Sequence, residues 1–265
     1  MAGSPPRQAV RIQSLARANG ILEVVAAAPK GSASLTEISK ALGLNKTTVF
    51  NLAASLVALG FLERGRDSTS YRLGLRNLEL GSVVRARLDI SDIARPALLK
   101  ICAATGETAN LVVPNMSTAI ILDSFEGRHT LRSTSYAGAP SPYHSSACGK
   151  AILAHFPPAM RKAILKSFPP RAYTPHTLTD LAKLEGQLDI VRRRGYASES
   201  EENEVGQACI AAPIFDGFDE IAGAISVAGP LGRITGARAE IIRIVVMHTK
   251  AISRALGAHP ERKAI

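Results

Sequence analysis

The chain has 265 residues, 46% of them hydrophobic, a formal net charge of +10 and a pI of about 9.9. That length accommodates two domains with cores of their own, the composition excludes a largely disordered chain, and the charge favours polyanionic partners without choosing among them. No run approaches membrane-spanning length, Met1 to Arg7 is polar and Pro-rich rather than signal-like, and three widely separated cysteines (Cys102, Cys148, Cys209) with no CxxC pair suggest a reducing compartment, by default the cytoplasm, and no zinc framework.

In chain order, Ile12, Leu15, Ile21, Leu22 and Val25 recur at helical spacing and predict a helix from about Arg11 to Ala28, ended by Pro29-Lys30-Gly31. Ser34-Leu35-Thr36-Glu37 then sets a hydroxyl three residues ahead of a carboxylate, the capping-box pattern of a helix start. Leu35, Ile38 and Leu42 give that helix its buried stripe, and Gly43 can take the positive φ that ends it. After a short turn, Asn45 can cap a second helix with Val49, Leu52, Leu56 and Leu59 along one face and Lys46, Thr47, Thr48 and Asn51 near its exposed beginning. Phe61 to Arg64 and Ser70 to Leu73 flank Gly65-Arg66-Asp67-Ser68-Thr69, which fits a hairpin with a basic tip.

Helix, tight turn, helix and hairpin is the order in which a winged helix-turn-helix enters a DNA groove. The first turns of the second helix meet base edges, and its N-terminal N–H groups can receive phosphate. Lys46, Thr47, Thr48 and Asn51, with Arg64, Arg66 and Arg72 on the wing, are therefore the candidate contacts to double-stranded DNA. Residues 1–80 hold ten Lys or Arg against five acids, so half of the net charge sits in under a third of the chain. A small helical bundle with a merely solvated polar face, or a winged fold used for protein contacts, has the same pattern.

Leu75, Leu78, Val83 and Leu88, with Arg76, Arg85 and Arg87 between them, predict one amphipathic connecting helix. The division expected is a DNA-binding domain over 1–75, a linker helix over 76–90 and a second domain over 91–260. Within the last, a helix around Ile93 to Thr105 precedes two strand-like runs, Thr108 to Val113 and Ala119 to Asp123, that pair best as a hairpin. Gly149 to Phe156 and Leu178 to Arg194 read as helices. Ala208 to Phe215 and Ile221 to Ala228 read as buried strands joined by Asp216-Gly217-Phe218-Asp219, and a last helix runs from about Gly236 to Leu256.

The run from Leu56 to Arg64 (LVALGFLER) and Tyr71-Arg72-Leu73-Gly74 stand in the first domain. Thr105 to Leu111 (TGETANL), His144 to Leu153 (HSSACGKAIL), Glu201 to Glu204 (EENE), Cys209 to Ile214 (CIAAPI) and Ile225 to Pro230 (ISVAGP) follow in the second. This ordered series closely resembles the IclR (isocitrate lyase regulator) family of bacterial transcription regulators over nearly the whole length. The resemblance implies an α+β protein in which a winged helix-turn-helix domain is joined by a linker helix to a GAF-like antiparallel α/β domain that binds a small effector. It implies homodimers or homotetramers, suited to repeated half-sites.

Ser146 to Lys150 begins a predicted helix with small residues, so backbone N–H groups can approach an anion. Through the resemblance, Ala147 and Cys148 fall on the backbone donors of the effector pocket, Glu199, Gln207 and Cys209 on its opposite rim, and Ser226 on its sheet floor. Ala228 lies two residues on, on the same strand face. A small oxo-acid or an aromatic acid is the expected effector, and no cofactor is implied. The chain departs from many relatives at Glu199, where Asp is frequent, at Gln207, where an apolar residue is frequent, and at Asn51, where a basic residue is frequent.

Close helix–sheet packing alone would also account for the small residues, and an acidic solvated turn for Glu201, Glu202 and Glu204. A cysteine-dependent enzyme would use Cys209 as nucleophile, His144 as base and Glu199 to orient it. Against it, Cys209 stands in an apolar strand pattern with no turn to present a thiolate. A metal held by His144, Cys148 and Cys209 would rest on only a loose H-x3-C pair and a distant third ligand.

Overall fold

The computed structural model describes residues 12–29, 31–65, 69–85 and 89–258, and the chain divides into two compact units, 1–87 and 88–265. In the first unit, helix α1 spans Gln13–Ala26, strand β1 Ser32–Ser34, α2 Leu35–Leu42, α3 Lys46–Ala58, β2 Leu62–Arg64, β3 Ser70–Leu73 and α4 Arg76–Arg85. α1 ends two residues earlier than the periodicity suggested. Ser34 closes the expected capping box around α2: its hydroxyl accepts from Glu37 N–H, and the Glu37 carboxylate accepts from Ser34 N–H at 2.7 Å. Gly43 ends α2 at φ 62°, and Asn45 Oδ1 accepts from Thr48 N–H at 2.7 Å to start α3. Two satisfied caps two residues apart, Gly43 and Asn45, fix the tight turn between the helices.

Two expectations need correction here. Leu59 does not line the buried face of α3 but caps its C-terminus with 64% of its surface exposed, because the helix ends one residue before it. The wing is not a lone hairpin: β1 pairs antiparallel with β3, giving a three-stranded sheet in the order β1-β3-β2. A three-residue strand that also supplies a helix cap leaves no alternation to read. Ile21, Val25, Ile38, Val49, Ala53, Leu56, Leu62 and Tyr71 close the core between the three helices and this sheet. Along α4, Leu78 and Val83, with Leu75 just ahead, remain more than half exposed. Leu88, the last of the apolar residues expected along the connecting helix, lies outside the described residues.

The second unit contains α5 (Asp89–Thr105), β4 (Thr108–Val113), β5 (Ala119–Phe125), β6 (Pro140–Ser141), α6 (Ala147–Leu153), α7 (Pro158–Ser167), α8 (Leu181–Arg194), β7 (Ala197–Ser200), β8 (Gln207–Phe215), β9 (Ile221–Pro230), α9 (Leu231–Gly236) and α10 (Arg238–Ala255). Its six strands form one antiparallel sheet in the order β6-β5-β4-β9-β8-β7. β4 and β5 pair as expected, and Asp216 ties the turn between β8 and β9 by accepting from Phe218 and Glu220 N–H. α5 begins four residues earlier than expected, and α6 begins two residues earlier and ends three earlier. β6, α7, β7 and α9 carry no strong periodic signal because each is short or half exposed.

Alternation along the strands separates two cores. Ala109, Leu111, Ile210, Ala212, Ile225 and Val227 face α5 and α10, while Val112, Ala211 and Ala224 face α6 and α8. Polar residues on the second face are what open a cavity there.

Candidate DNA-binding face and effector cavity

At the start of α3, Lys46, Thr47 and Asn51 are exposed and Thr48 is half-buried, its N–H taken by the Asn45 cap. Phe50, which periodicity gives no reason to single out, is 45% exposed on the same helix. On the wing, the Arg72 guanidinium is held by Glu63 at 2.7 Å, both side chains being exposed, and Arg64 lies 5.7 Å from the Tyr71 ring centroid. Arg66 lies outside the described residues. The first unit thus presents a helix N-terminus and a basic strand pair, with α3 seated on its core by Val49, Ala53 and Leu56.

In the second unit, Ala147, Cys148, Glu199, Gln207, Cys209, Ser226 and Ala228 all line one cavity of about 80 Å³ between the start of α6 and the sheet. Strand register explains the gathering: Cys209 is paired with Glu199 on one side and with Ala228 on the other, and Ser226 with Asn110. Ser146 caps α6 by accepting from Gly149 N–H at 2.9 Å. Gly149 is required, since a Cβ there would run into the Pro142 carbonyl.

The sequence did not single out Asn110, Ser133, Ser135 and Asn203, which also line the cavity. A polar Asn110 between apolar neighbours in β4, in phase with Val112, was the available signal. Gln207 Nε2 donates to Ser133 Oγ at 2.6 Å, and Thr108 Oγ1 to the Ser133 carbonyl at 2.5 Å. These bonds hold the 133–135 segment over the mouth, where a wider recess of about 480 Å³ shares Ile121, Ser133, Ser135, Pro140, Asn203 and Gln207 with the inner cavity.

Behind the wall, Lys150 has no accessible surface and pairs with Glu202 at 2.5 Å, while Glu202 Oε2 has no hydrogen-bond partner. Burial lowers the Lys150 ammonium pKa, opposed by Glu202. Glu199 is 4% exposed and accepts from Glu202 N–H at 3.0 Å. Burial raises its carboxyl pKa to about 7, opposed by the backbone donors and Lys150 and reinforced by Glu202.

A larger recess of about 570 Å³ lies outside this site, lined by His144, Arg171 and Tyr173 among others. His144 belongs there: its Nε2 is 2.8 Å from the Arg171 carbonyl oxygen and its ring stacks on Tyr173. Of the trio an enzyme would use, Cys209 and Glu199 line the inner cavity, while His144 lines the outer recess with its Nε2 engaged by the Arg171 backbone. Cys209 keeps some surface toward the cavity but sits deep in the packed domain, and burial raises its thiol pKa well above the ordinary value, as it does that of Cys148, to about 12. Both thiols are held in the unreactive form. Among the described residues no group of three His, Cys, Asp or Glu could hold a metal, and the three cysteines are free. No helix among them is long and apolar enough to cross a membrane.

A winged helix-turn-helix unit followed by a unit with an antiparallel sheet and a polar internal cavity defines a transcription regulator rather than an enzyme. Residues 14–66 match the IclR helix-turn-helix domain, and residues 83–254 match the bacterial transcriptional regulator IclR C-terminal domain. The HTH-type transcriptional regulator BhcR of Paracoccus denitrificans is 36% identical over 253 residues, covering 96% of this chain and 90% of that protein. The crystal structure of the Thermotoga maritima IclR has 32% identity and a TM-score of 0.70, covering 93% of this chain and 99% of that one. An IclR homolog from Microbacterium hydrocarbonoxydans, complexed with 4-hydroxybenzoate, has 26% identity and a TM-score of 0.75, covering 91% of this chain and 99% of that one. The chain belongs to the IclR family of DNA-binding transcription regulators.

Proposed function

We propose that this regulator reads its operator through Lys46, Thr47, Thr48 and Asn51 of α3, with Arg64, Arg66 and Arg72 following the backbone from the wing, and that a small organic acid in the 147–228 cavity controls its affinity. The observation that carries the acid-binding half is the convergence of seven residues from α6, β7, β8 and β9 on one cavity. At about 80 Å³ the inner chamber is the size of a few water molecules and suits a two- or three-carbon oxo-acid, while the recess outside Gln207 has room for an aromatic ring. The relative bound to 4-hydroxybenzoate supports an acid of the second kind.

The functional division follows as 1–75 for DNA, 76–90 for the linker and 91–260 for the effector. A second copy of the chain as homodimer, or a homotetramer, supplies the two-fold readers that repeated half-sites need, and the exposed Leu75, Leu78 and Val83 suit burial against it. Working on DNA, the protein belongs in the cytoplasm. The effector acts by binding two conformational states unequally, and whatever factor it changes operator affinity by, the operator changes effector affinity by the same factor. Titrating glyoxylate, pyruvate and 4-hydroxybenzoate while measuring affinity for the promoter-proximal DNA tests this. An acid that binds without changing operator affinity defeats the coupling.

A further inference from the structure

An acid-binding cavity normally offers a cation, and this inner chamber does not; Arg132 lines only the wider recess outside it and is paired with Glu126 at 2.6 Å. The chamber's lining contains no Lys, Arg or His, and its single charged residue is an acid, Glu199. The only ammonium in the wall, Lys150, is wholly buried and already committed to Glu202.

The titratable groups packed around Glu199 are Lys150 and Cys148 from α6, Glu202 from the turn after β7, and Cys209 from β8. Beyond them, Arg194 acts on Lys150, and Lys150 in turn on His144. With both thiols protonated, two carboxylates share the one ammonium that acts on Glu199. A ligand carboxylate would add another within the same few ångströms, a repulsion that ionised Glu199 has no donor to offset.

One change removes both difficulties. A protonated Glu199 leaves Lys150 and Glu202 as a neutral pair and adds an O–H donor to the lining that already holds the Ser226 hydroxyl and the Asn110 amide. We propose that Glu199 is the residue that admits carboxylate ligands, holding a proton when the cavity is occupied, so that each acid bound by an ionised protein brings one proton in from solvent. This rests on the acid-binding reading above. The carboxyl pKa of about 7 already imposed by burial means that the proton is available near neutral pH. Because like charges stand close together when the ligand enters, the occupied site holds that proton to higher pH than the empty one.

The test is calorimetric titration of the full-length protein with pyruvate, glyoxylate and 4-hydroxybenzoate at several pH values between 6 and 9, in buffers of different ionisation enthalpy. Pyruvate and glyoxylate have no group that titrates in this range, so any proton taken up with them goes to the protein; 4-hydroxybenzoate is read below pH 8, where its phenol keeps its proton. Uptake of up to one proton is expected, rising through neutral pH, with Kd weakening toward tenfold per pH unit on the alkaline side. Glu199→Gln, which keeps an N–H donor without a charge, should bind the same acid with that proton uptake and pH dependence removed. Binding that is equally tight at pH 6 and pH 9, with heats independent of buffer in the unmodified protein, overturns the proposal even if the variant does not fold. Absence of binding by all three acids at every pH instead overturns the acid-binding reading, and the proton linkage with it.

Discussion

The two units place their working residues in opposite ways. On α3 the candidate DNA contacts are neighbours in sequence and stand on the surface, so their placement needs only a capped helix with one buried face. In the second unit the cavity residues come from α6, β4, β7, β8 and β9, and what brings them together is strand register. A surface face of the first kind tolerates change at one position without disturbing the next. A buried chamber of the second kind couples every substitution to the packing behind it.

The strongest test of that contrast is Lys150→Met. It leaves Glu202 buried without its cation and should destabilise the second unit by about 3–5 kcal/mol in chemical denaturation, with Glu202→Gln in the same chain restoring much of the loss. A loss below about 1 kcal/mol would show that water reaches the pair. Next, Thr47→Ala and Thr48→Ala should change discrimination between operator variants by about 1–3 kcal/mol at the base each contacts, with little change in stability, as read by competition binding. Equal losses on all sequences would assign both to the phosphates.

Lys46→Ala should weaken binding uniformly and reduce the slope of log K against log salt by about 0.9, whereas Asn45→Ala should cost about 1 kcal/mol of stability in the first unit through the lost cap. Gln207→Leu removes the bond to Ser133 and should shift ligand preference severalfold toward 4-hydroxybenzoate over pyruvate. An unchanged ratio would mean that the 133–135 segment is held without it. A further effect is expected in the pH profile of stability without ligand. Glu199 binds its proton more tightly folded than unfolded, so stability should fall as pH rises from the ordinary 4.5 to about 7, and Glu199→Gln should flatten that fall.

Local rules were enough wherever an element carries its own signal. The capping box at Ser34, the positive φ of Gly43 and the Asn45 cap were all readable from side-chain chemistry within a few residues. They were not enough for β1, whose partner lies almost forty residues away, or for Leu59, whose exposure depends on where α3 stops. The seven cavity residues came from the family pattern, because nothing in the composition of β7, β8 or β9 says which strands lie side by side. Asn203 and Ser133 reach the cavity from irregular segments, which have no period to read.

The Gly149–Pro142 approach limits how such a protein can change its taste in ligands. With no room for any side chain at position 149, this turn of α6 stays pinned against the Pro142 carbonyl, and the facing rim at Glu199 and Gln207 is the part of the lining free of that constraint. Engineers seeking a sensor for another metabolite would do best to randomise that rim and leave the glycine alone.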